Sequence, residues 1–364
     1  MKYFVLAGEA SGDLHGANLI SAIKKEDKEA EFAFWGGDKM ANAAQKSPLK
    51  HIKELAFMGF VEVIKNLGTI LSNIKNCKKQ ITAYQPDVVV FIDYPGFNLR
   101  IAKWAKKQGF KTTYYISPQI WAWKENRVKT IRAYIDEMIC ILPFEKDFYK
   151  KHRVKSHYVG HPLLDAISPN DTEIENKSGI ALLPGSRKQE INKMLPIMLQ
   201  VAKAFTSYKF TIAAAPSIDA SFYTSFELPT NVKIAYGNTQ EVMKTSVAAL
   251  VTSGTATLET ALFETPLVVC YKANAISVFI AKMLIKVKFI SLVNLIADKE
   301  IVKELIQEEF NLSNCKRELN TLLQPINKQK LINEFKTLKE LLGNSGASNR
   351  AASIIVNCAQ KLHS

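Results

Sequence analysis

The stretch Asp87-Val-Val-Val-Phe-Ile-Asp-Tyr-Pro-Gly-Phe-Asn98 decides the fold. Val88 to Ile92 is a short, unbroken apolar run, the pattern of a strand buried in a parallel sheet, and a helical stretch, Phe97–Gln108, follows it. Asp93 ends that strand and should emerge at the ligand-binding edge of the sheet. Partial burial there raises a carboxylate's pKa and suits it to accept a proton from a substrate hydroxyl. The alternative is that Asp93 only braces the turn through backbone N–H groups.

The same rhythm runs outward in both directions. Further strands are expected at Tyr3–Ala7, Glu31–Trp35, Thr112–Ile116 and Met138–Leu142, with helical stretches at Asp13–Lys25 and Phe60–Tyr84. Leu163 to Ser178, with Pro169, Asn170 and Asp171, breaks the alternation and reads as a linker. A second series then follows at Gly179–Leu183, Lys209–Ala214, Val232–Ile234, Val247–Val251 and Leu267–Cys270. No strand signal follows residue 292. Three helical stretches close the chain, and Gly343 to Gly346 interrupts them before a last helix, Ala347–Leu362. The expected fold is α/β: two doubly wound, Rossmann-like domains facing a cleft, each with ligand loops at its strand carboxyl ends. Their bounds are 1–167 and 176–343, with residues 346–364 packing back on the first.

At 364 residues the chain exceeds one ordinary core, and 47% hydrophobic residues exclude a disordered chain. A net charge of +14 points to an anionic partner: nucleic acid, a phosphorylated ligand or an acidic membrane surface. Cys77, Cys140, Cys270, Cys315 and Cys358 are dispersed, against a disulfide framework or a zinc site. The first residues read as a strand rather than a signal peptide. The longest uncharged run, Thr245 to Leu258, is too short and polar to span a membrane. The expected setting is cytoplasmic, with any membrane contact peripheral.

Several loops carry chemistry. Gly8-Glu-Ala-Ser-Gly-Asp13 joins the first strand to a helix, but matches neither G-x-G-x-x-G nor a Walker A loop. Ser11 or Asp13 there can be ordinary caps, whereas Glu9 is a carboxylate in the turn. Nine basic residues and one acid, Glu125, lie between Arg100 and Arg132, around Tyr114-Tyr-Ile-Ser-Pro-Gln-Ile-Trp-Ala-Trp123. Trp121 and Trp123 beside cations such as Arg127 suit stacked bases, a membrane interface or an acyl-sugar phosphate. Leu182-Leu-Pro-Gly-Ser-Arg187 leads into a helix. Gly185 permits close approach, Ser186 can cap, and Arg187 offers a guanidinium fork for a diphosphate, although a plain loop is the simpler reading. Thr252-Ser-Gly-Thr-Ala-Thr-Leu-Glu-Thr260 is a stronger diphosphate cradle, with Ser253, Gly254, Thr255 and Thr257 ahead of Glu259, which can accept from ribose hydroxyls. Ala275 to Phe289, apolar apart from Lys282, Lys286 and Lys288, reads either as a helix on anionic lipid or as a core-facing helix. Asn294 stands alone among apolar neighbours, as a ligand or a turn former.

Together these stretches resemble the lipid-A-disaccharide synthase family, inverting glycosyltransferases with the two-domain fold called GT-B. The matching motifs, in order along nearly the whole chain, are Ala7–Asp13, Asp93 with Asn98, Ile116–Trp123, Val159-Gly-His-Pro-Leu163, Leu183–Arg187, Ser253–Glu259 and Ser291–Leu295. The resemblance implies that UDP-2,3-diacylglucosamine donates its sugar to the 6-hydroxyl of 2,3-diacylglucosamine 1-phosphate, giving a β-1,6 disaccharide 1-phosphate and UDP. It implies UDP on Arg187, Gly185, Ser186, Ser253, Gly254, Thr255, Thr257 and Glu259. Asp93 becomes the candidate base, with Glu9 and Asn294 positioning substrate or phosphate. Ser11, Trp121, Trp123 and Arg127 become candidates for the acceptor or an anionic inner-membrane surface. No cofactor is implied, and no Asp-x-Asp pair near these loops suggests a metal. Nucleic acid drops out as a partner, and a homodimer is compatible. The chain departs from the family pattern at Gly96, where a second acid is common, and at Val293, where Pro is usual. A UDP-N-acetylglucosamine 2-epimerase-like enzyme and a basic membrane- or nucleic-acid-binding protein are the competing readings.

Overall fold

The computed structural model describes residues 1–55, 67–167, 177–273 and 287–360. The chain divides into two compact units, Met1–Asp165 with Asn344–Ser364, and Ala166–Gly343.

The first unit holds a seven-stranded sheet, all of whose pairings are parallel. Its strands are β1 (Lys2–Ala7), β2 (Glu31–Gly36), β3 (Lys50–His51), β4 (Val88–Ile92), β5 (Lys111–Tyr115), β6 (Glu137–Cys140) and β7 (Ser156–Tyr158). In space they run β3-β2-β1-β4-β5-β6-β7. Every residue of β4 is buried, which is why its sequence is apolar without alternation. The edge strand β7 is held in part by charge: Glu137 on β6 takes Lys155 at 2.5 Å and His157 at 2.7 Å.

The last described helix, Ala347–Gln360, packs on this sheet and against the first helix, Ala10–Glu26. Its N-terminus is capped from far along the chain. The Asp165 carboxylate accepts from the N–H groups of Gly346, Ala347 and Ser348 at 2.6, 3.1 and 3.0 Å. Three of the donors that a helix start leaves orphaned, or nearly so, are thereby satisfied by one anion at the positive end of the dipole.

The second unit holds a six-stranded parallel sheet ordered β10-β9-β8-β11-β12-β13. The strands are β8 (Ile180–Leu183), β9 (Phe210–Ala214), β10 (Val232–Tyr236), β11 (Ala248–Thr252), β12 (Leu267–Tyr271) and β13 (Glu304–Ile306). The expectation of no strand after residue 292 is corrected by β13, which pairs with β12 from Val269↔Glu304 to Tyr271↔Ile306. It is three residues long and begins on a charged side chain, so no apolar run announces it.

In each sheet the chain winds outward from a central strand and then returns to the other side of it. The winding reverses between β1 and β4 in the first unit and between β8 and β11 in the second. Loops leaving the carboxyl ends of those neighbours diverge onto opposite faces, which leaves a crevice over each pair. The middle of the expected linker (168–176), the start of the Phe60–Tyr84 stretch and most of Ala275–Phe289 lie outside the described residues. The last four residues of the chain do too. The five cysteines are buried thiols. Among the described residues no helix is long and apolar enough to cross a membrane.

Candidate functional site

At the first switch point Ala7 and Ile92 are paired, so Gly8-Glu9 and Asp93-Tyr94 leave the sheet side by side. The approach is close enough to require glycine: a Cβ on Gly8 would collide with the Tyr94 ring. Asp93 and Tyr94 both have left-handed backbone, with φ of 42° and 49°. This conformation is uncommon for residues with side chains and is sustained only where surroundings impose it. Here the Asn98 amide donates to the Asp93 carbonyl at 2.7 Å and to that of Ile92 at 3.2 Å. The Tyr114 hydroxyl donates to the same Asp93 carbonyl at 2.5 Å.

The Asp93 carboxyl is half-buried, and its pKa is raised to about 7, first by burial and then by the Glu9 carboxylate. A carboxyl poised there accepts protons at neutral pH. Glu9 occupies the N-cap position of helix Ala10–Glu26 without a side-chain capping bond. Ser11 is exposed in the first turn. Asp13, considered as a local cap, instead caps the next helix, Asp38–Ala44, accepting from Gly37, Lys39 and Met40 at 2.7 to 3.1 Å.

At the second switch point Leu183 and Val251 are paired, and the loops around Gly185 and Gly254 emerge together. Gly185 has φ of 114°, and a Cβ there would press on Glu190. Glu190 organises this loop, an acceptor that sequence reasoning passed over. It takes the Ser186 N–H at 3.1 Å and the Arg187 guanidinium at 2.8 Å. Arg187 is therefore held at the loop in an exposed ion pair. Across from it, helix Thr255–Leu262 begins at Gly254 with no side-chain cap and with Thr255 exposed. Such a helix start attracts anions through its N–H groups and dipole. Ser253 donates to the Ile290 carbonyl at 3.0 Å, and half-buried Glu259 accepts from Gln240 at 2.9 Å.

Two of the expected ligand residues are internal. Thr257 is fully buried, and its hydroxyl donates to the Gly254 carbonyl at 2.8 Å, bracing the helix start instead of facing a ligand. Asn294 is also fully buried. It donates to Val302 O at 2.8 Å and Glu304 at 2.9 Å, and accepts from the N–H groups of Ile301 and Val302 at 2.8 and 3.0 Å. That uses the full capacity of a primary amide, so the ligand role expected for Asn294 is replaced by a structural one. Glu304 on β13 completes the arrangement by accepting from the N–H and hydroxyl of Ser291.

The basic stretch disperses in three dimensions. Lys106 pairs with Asp136, and Lys103 lies over Tyr134. Trp121 is half-buried, edge-on to Phe144, and donates to Glu145 at 3.2 Å. Glu145 is a buried carboxyl raised to about 7 by burial, and it also accepts from the N–H groups of Ile141 and Leu142. It anchors the tryptophan loop. Its only trace in the sequence is a Pro143-Phe-Glu helix start. Trp123 stays 43% exposed, with Lys124 Nζ 4.2 Å and Arg127 Cζ 5.7 Å from its ring centroid. Among the described residues no group of three or more His, Cys, Asp or Glu could hold a metal ion.

The family model described as Lipid-A-disaccharide synthetase matches residues 3–357. A Lipid-A-disaccharide synthase of Syntrophus aciditrophicus is 39% identical, covering 98% of this chain and 97% of its own. Those of Myxococcus xanthus and Coxiella burnetii are each 36% identical, the first over 98% and 97% and the second over 97% and 97% of the two chains. Among solved structures, S. aureus MnaA with UDP superposes with a TM-score of 0.69 at 13% identity, covering 100% of this chain and 97% of that one. The glycotransferase of kitacinnamycin gives 0.66 at 12% identity, over 98% and 99%. At these identities the structural matches speak for the fold alone.

Proposed function

Because the chain belongs to the lipid-A-disaccharide synthase family, it is a glycosyltransferase of lipid A biosynthesis, and we propose how its two switch points divide the reaction. The donor is UDP-2,3-diacylglucosamine, with its diphosphate on the Thr255–Leu262 helix start and on Arg187, in the second unit. The acceptor is 2,3-diacylglucosamine 1-phosphate, with its 6-hydroxyl at Asp93 in the first. The Asp93 carboxylate takes the hydroxyl proton as the oxygen bonds to the anomeric carbon from the face opposite UDP. The anomeric C–O bond to UDP breaks, inverting that centre, and UDP leaves with the bonding electrons. Charge growing on the diphosphate is met by fixed N–H dipoles and a guanidinium, which reorganise little during the step. No metal is required by this scheme. Glu9 keeps Asp93 basic and orients the acceptor, and Glu259 accepts from ribose.

The observation that carries this reading is Asp93 itself, a carboxyl tuned to about 7 and fixed by side-chain bonds to its own main chain. Since both substrates carry acyl chains, the enzyme works as a peripheral protein on the cytoplasmic, anionic face of the inner membrane. The chain's net charge of +14 supports that placement. Incubation with the two acylated glucosamines, followed by mass spectrometry, should yield the disaccharide 1-phosphate and UDP. Isomerisation of UDP-N-acetylglucosamine without disaccharide would overturn the reading in favour of a 2-epimerase.

A further inference from the structure

The tryptophan loop holds two cations, Lys124 and Arg127, that form no ion pair among the described residues. Among the described residues neither Lys124 nor Arg127 has a carboxylate within ion-pair distance, and the loop's own acid, Glu125, is paired with His152 at 3.1 Å. Instead both side chains lie against the Trp123 ring, at 4.2 and 5.7 Å from its centroid. Both are partly buried, and they repel. The Lys124 ammonium is held below its usual range by burial and then by Arg127. Arg127 is held down by burial and, in the opposite sense to Tyr114, by Arg100. Like charges kept together without counter-charge lower the stability of the unit, and a bound dianion reverses that sign.

The position of the pair narrows the ligand. Strand β5 lies beside β4 through Ile92↔Tyr115, so the loop after β5 leaves the sheet next to Asp93. Tyr114, whose hydroxyl is on the Asp93 carbonyl, is close enough to Arg127 for that charge to bear on its ionisation. A guanidinium fork grips two phosphate oxygens, an ammonium adds a point charge, and an exposed indole offers a flat face to a sugar ring.

We propose that Lys124 and Arg127, over Trp123, form the receptor for the phosphate monoester of the acceptor. The chain would then select a sugar 1-phosphate over the same sugar without its phosphate. The inference rests on the glycosyl-transfer reading for its substrate and on the geometry above for its site.

The test compares the parent, Lys124→Ala/Arg127→Ala and Arg127→Lys on 2,3-diacylglucosamine 1-phosphate and on its dephosphorylated form. The parent should prefer the phosphorylated acceptor. In the double variant that ratio of kcat/KM values should fall by at least about 30-fold, with Arg127→Lys in between, as expected for losing charge-assisted contacts. An equal loss on both acceptors, with the ratio intact, would overturn the proposal. Calorimetry with glucosamine 1-phosphate separates this from the function itself. If the parent makes no disaccharide yet binds that probe through Lys124 and Arg127, the receptor stands and the transfer reading falls. If the double variant binds the probe as the parent does, the receptor falls. Flotation with phosphatidylglycerol vesicles is the last arm: loss of vesicle binding with acceptor preference unchanged would assign the pair to the lipid surface and overturn the proposal.

Discussion

The hydroxyl of Tyr114 donates to the main-chain carbonyl of Asp93 at 2.5 Å, and the Asn98 amide reaches the same oxygen at 2.7 Å. Two buried side chains from different elements thus hold one carbonyl at the end of β4. Without them the left-handed backbone at Asp93 and Tyr94 would relax at a gain of about 1–3 kcal/mol per residue, and the carboxyl would leave its position beside Glu9.

Asp93 should therefore set the pH profile. Its pKa is raised, and the proton-accepting form is the deprotonated one, so kcat should climb with pH through about 7 and then level. Asp93→Ala should cost about 10²- to 10⁴-fold in kcat while UDP affinity stays near the parent's. Removing the neighbouring like charge in Glu9→Gln should move the acid limb to lower pH. A rate equal to the parent's in Asp93→Ala removes it as the base.

Arg187→Ala should weaken UDP binding about 10- to 100-fold, the worth of a charge-assisted bond to a diphosphate. Its present partner Glu190 is no obstacle: exposed ion pairs of this kind stabilise by about 0–1 kcal/mol, so exchanging it for a diphosphate costs little. Unchanged affinity by calorimetry would place the diphosphate elsewhere.

Much of this organisation is legible in sequence because strand and helix alternate and parallel strands end their loops at one edge. Val88–Ile92 reads as a strand and places Asp93 at the edge without further information. What escapes notice lacks periodicity. Lys50–His51 and Ser156–Tyr158 are edge strands of two and three residues, and β13 opens on Glu304. Residue type also misleads where a polar group serves the interior. Thr257 looks like a ligand because it lies in a hydroxyl-rich stretch, and Asn294 because it is a lone amide among apolar neighbours; only three-dimensional contacts show their bonding capacity already used. Glu145 and Glu190 are missed for the converse reason, since each accepts from backbone N–H groups, which carry no sequence signal.

Asn294→Ala should accordingly act on stability. Four partner atoms, three of them in buried bonds, lose their amide, a cost of about 3 kcal/mol or more, and thermal and denaturant midpoints should fall together. At a temperature where the variant is folded, its KM for the UDP-sugar should stay within a few-fold of the parent's. A large rise in KM with unchanged stability would restore Asn294 as a ligand.

Chelation should leave turnover unchanged, since in the proposed scheme the leaving diphosphate is met by backbone N–H groups and Arg187. Activity lost in EDTA and restored by magnesium would require a different account of how UDP departs.

Stability against pH offers an independent check on the first unit. His15 and His161 are buried there with pKa values lowered to about 4 and about 3, mainly by burial. Their folded pKa lies below the ordinary 6.5, so the unfolded chain binds protons first. Stability present above about 6.5 is lost as pH falls toward 4, by up to about 1.4 kcal/mol per pH unit for each histidine. Asp93 and Glu145, both raised to about 7, have the opposite sign: protonating them in the folded state adds stability as pH falls from 7 toward the ordinary carboxylate range. Two groups of each sign nearly offset, so the parent's midpoint should change little between pH 7 and 5. His15→Gln/His161→Gln removes one side of that balance. Whatever its stability at pH 7, the variant should gain on acidification, with a denaturation midpoint higher at pH 5 than at pH 7. A midpoint that falls on acidification as steeply as, or more steeply than, the parent's would show that these histidines are not the groups that titrate on unfolding.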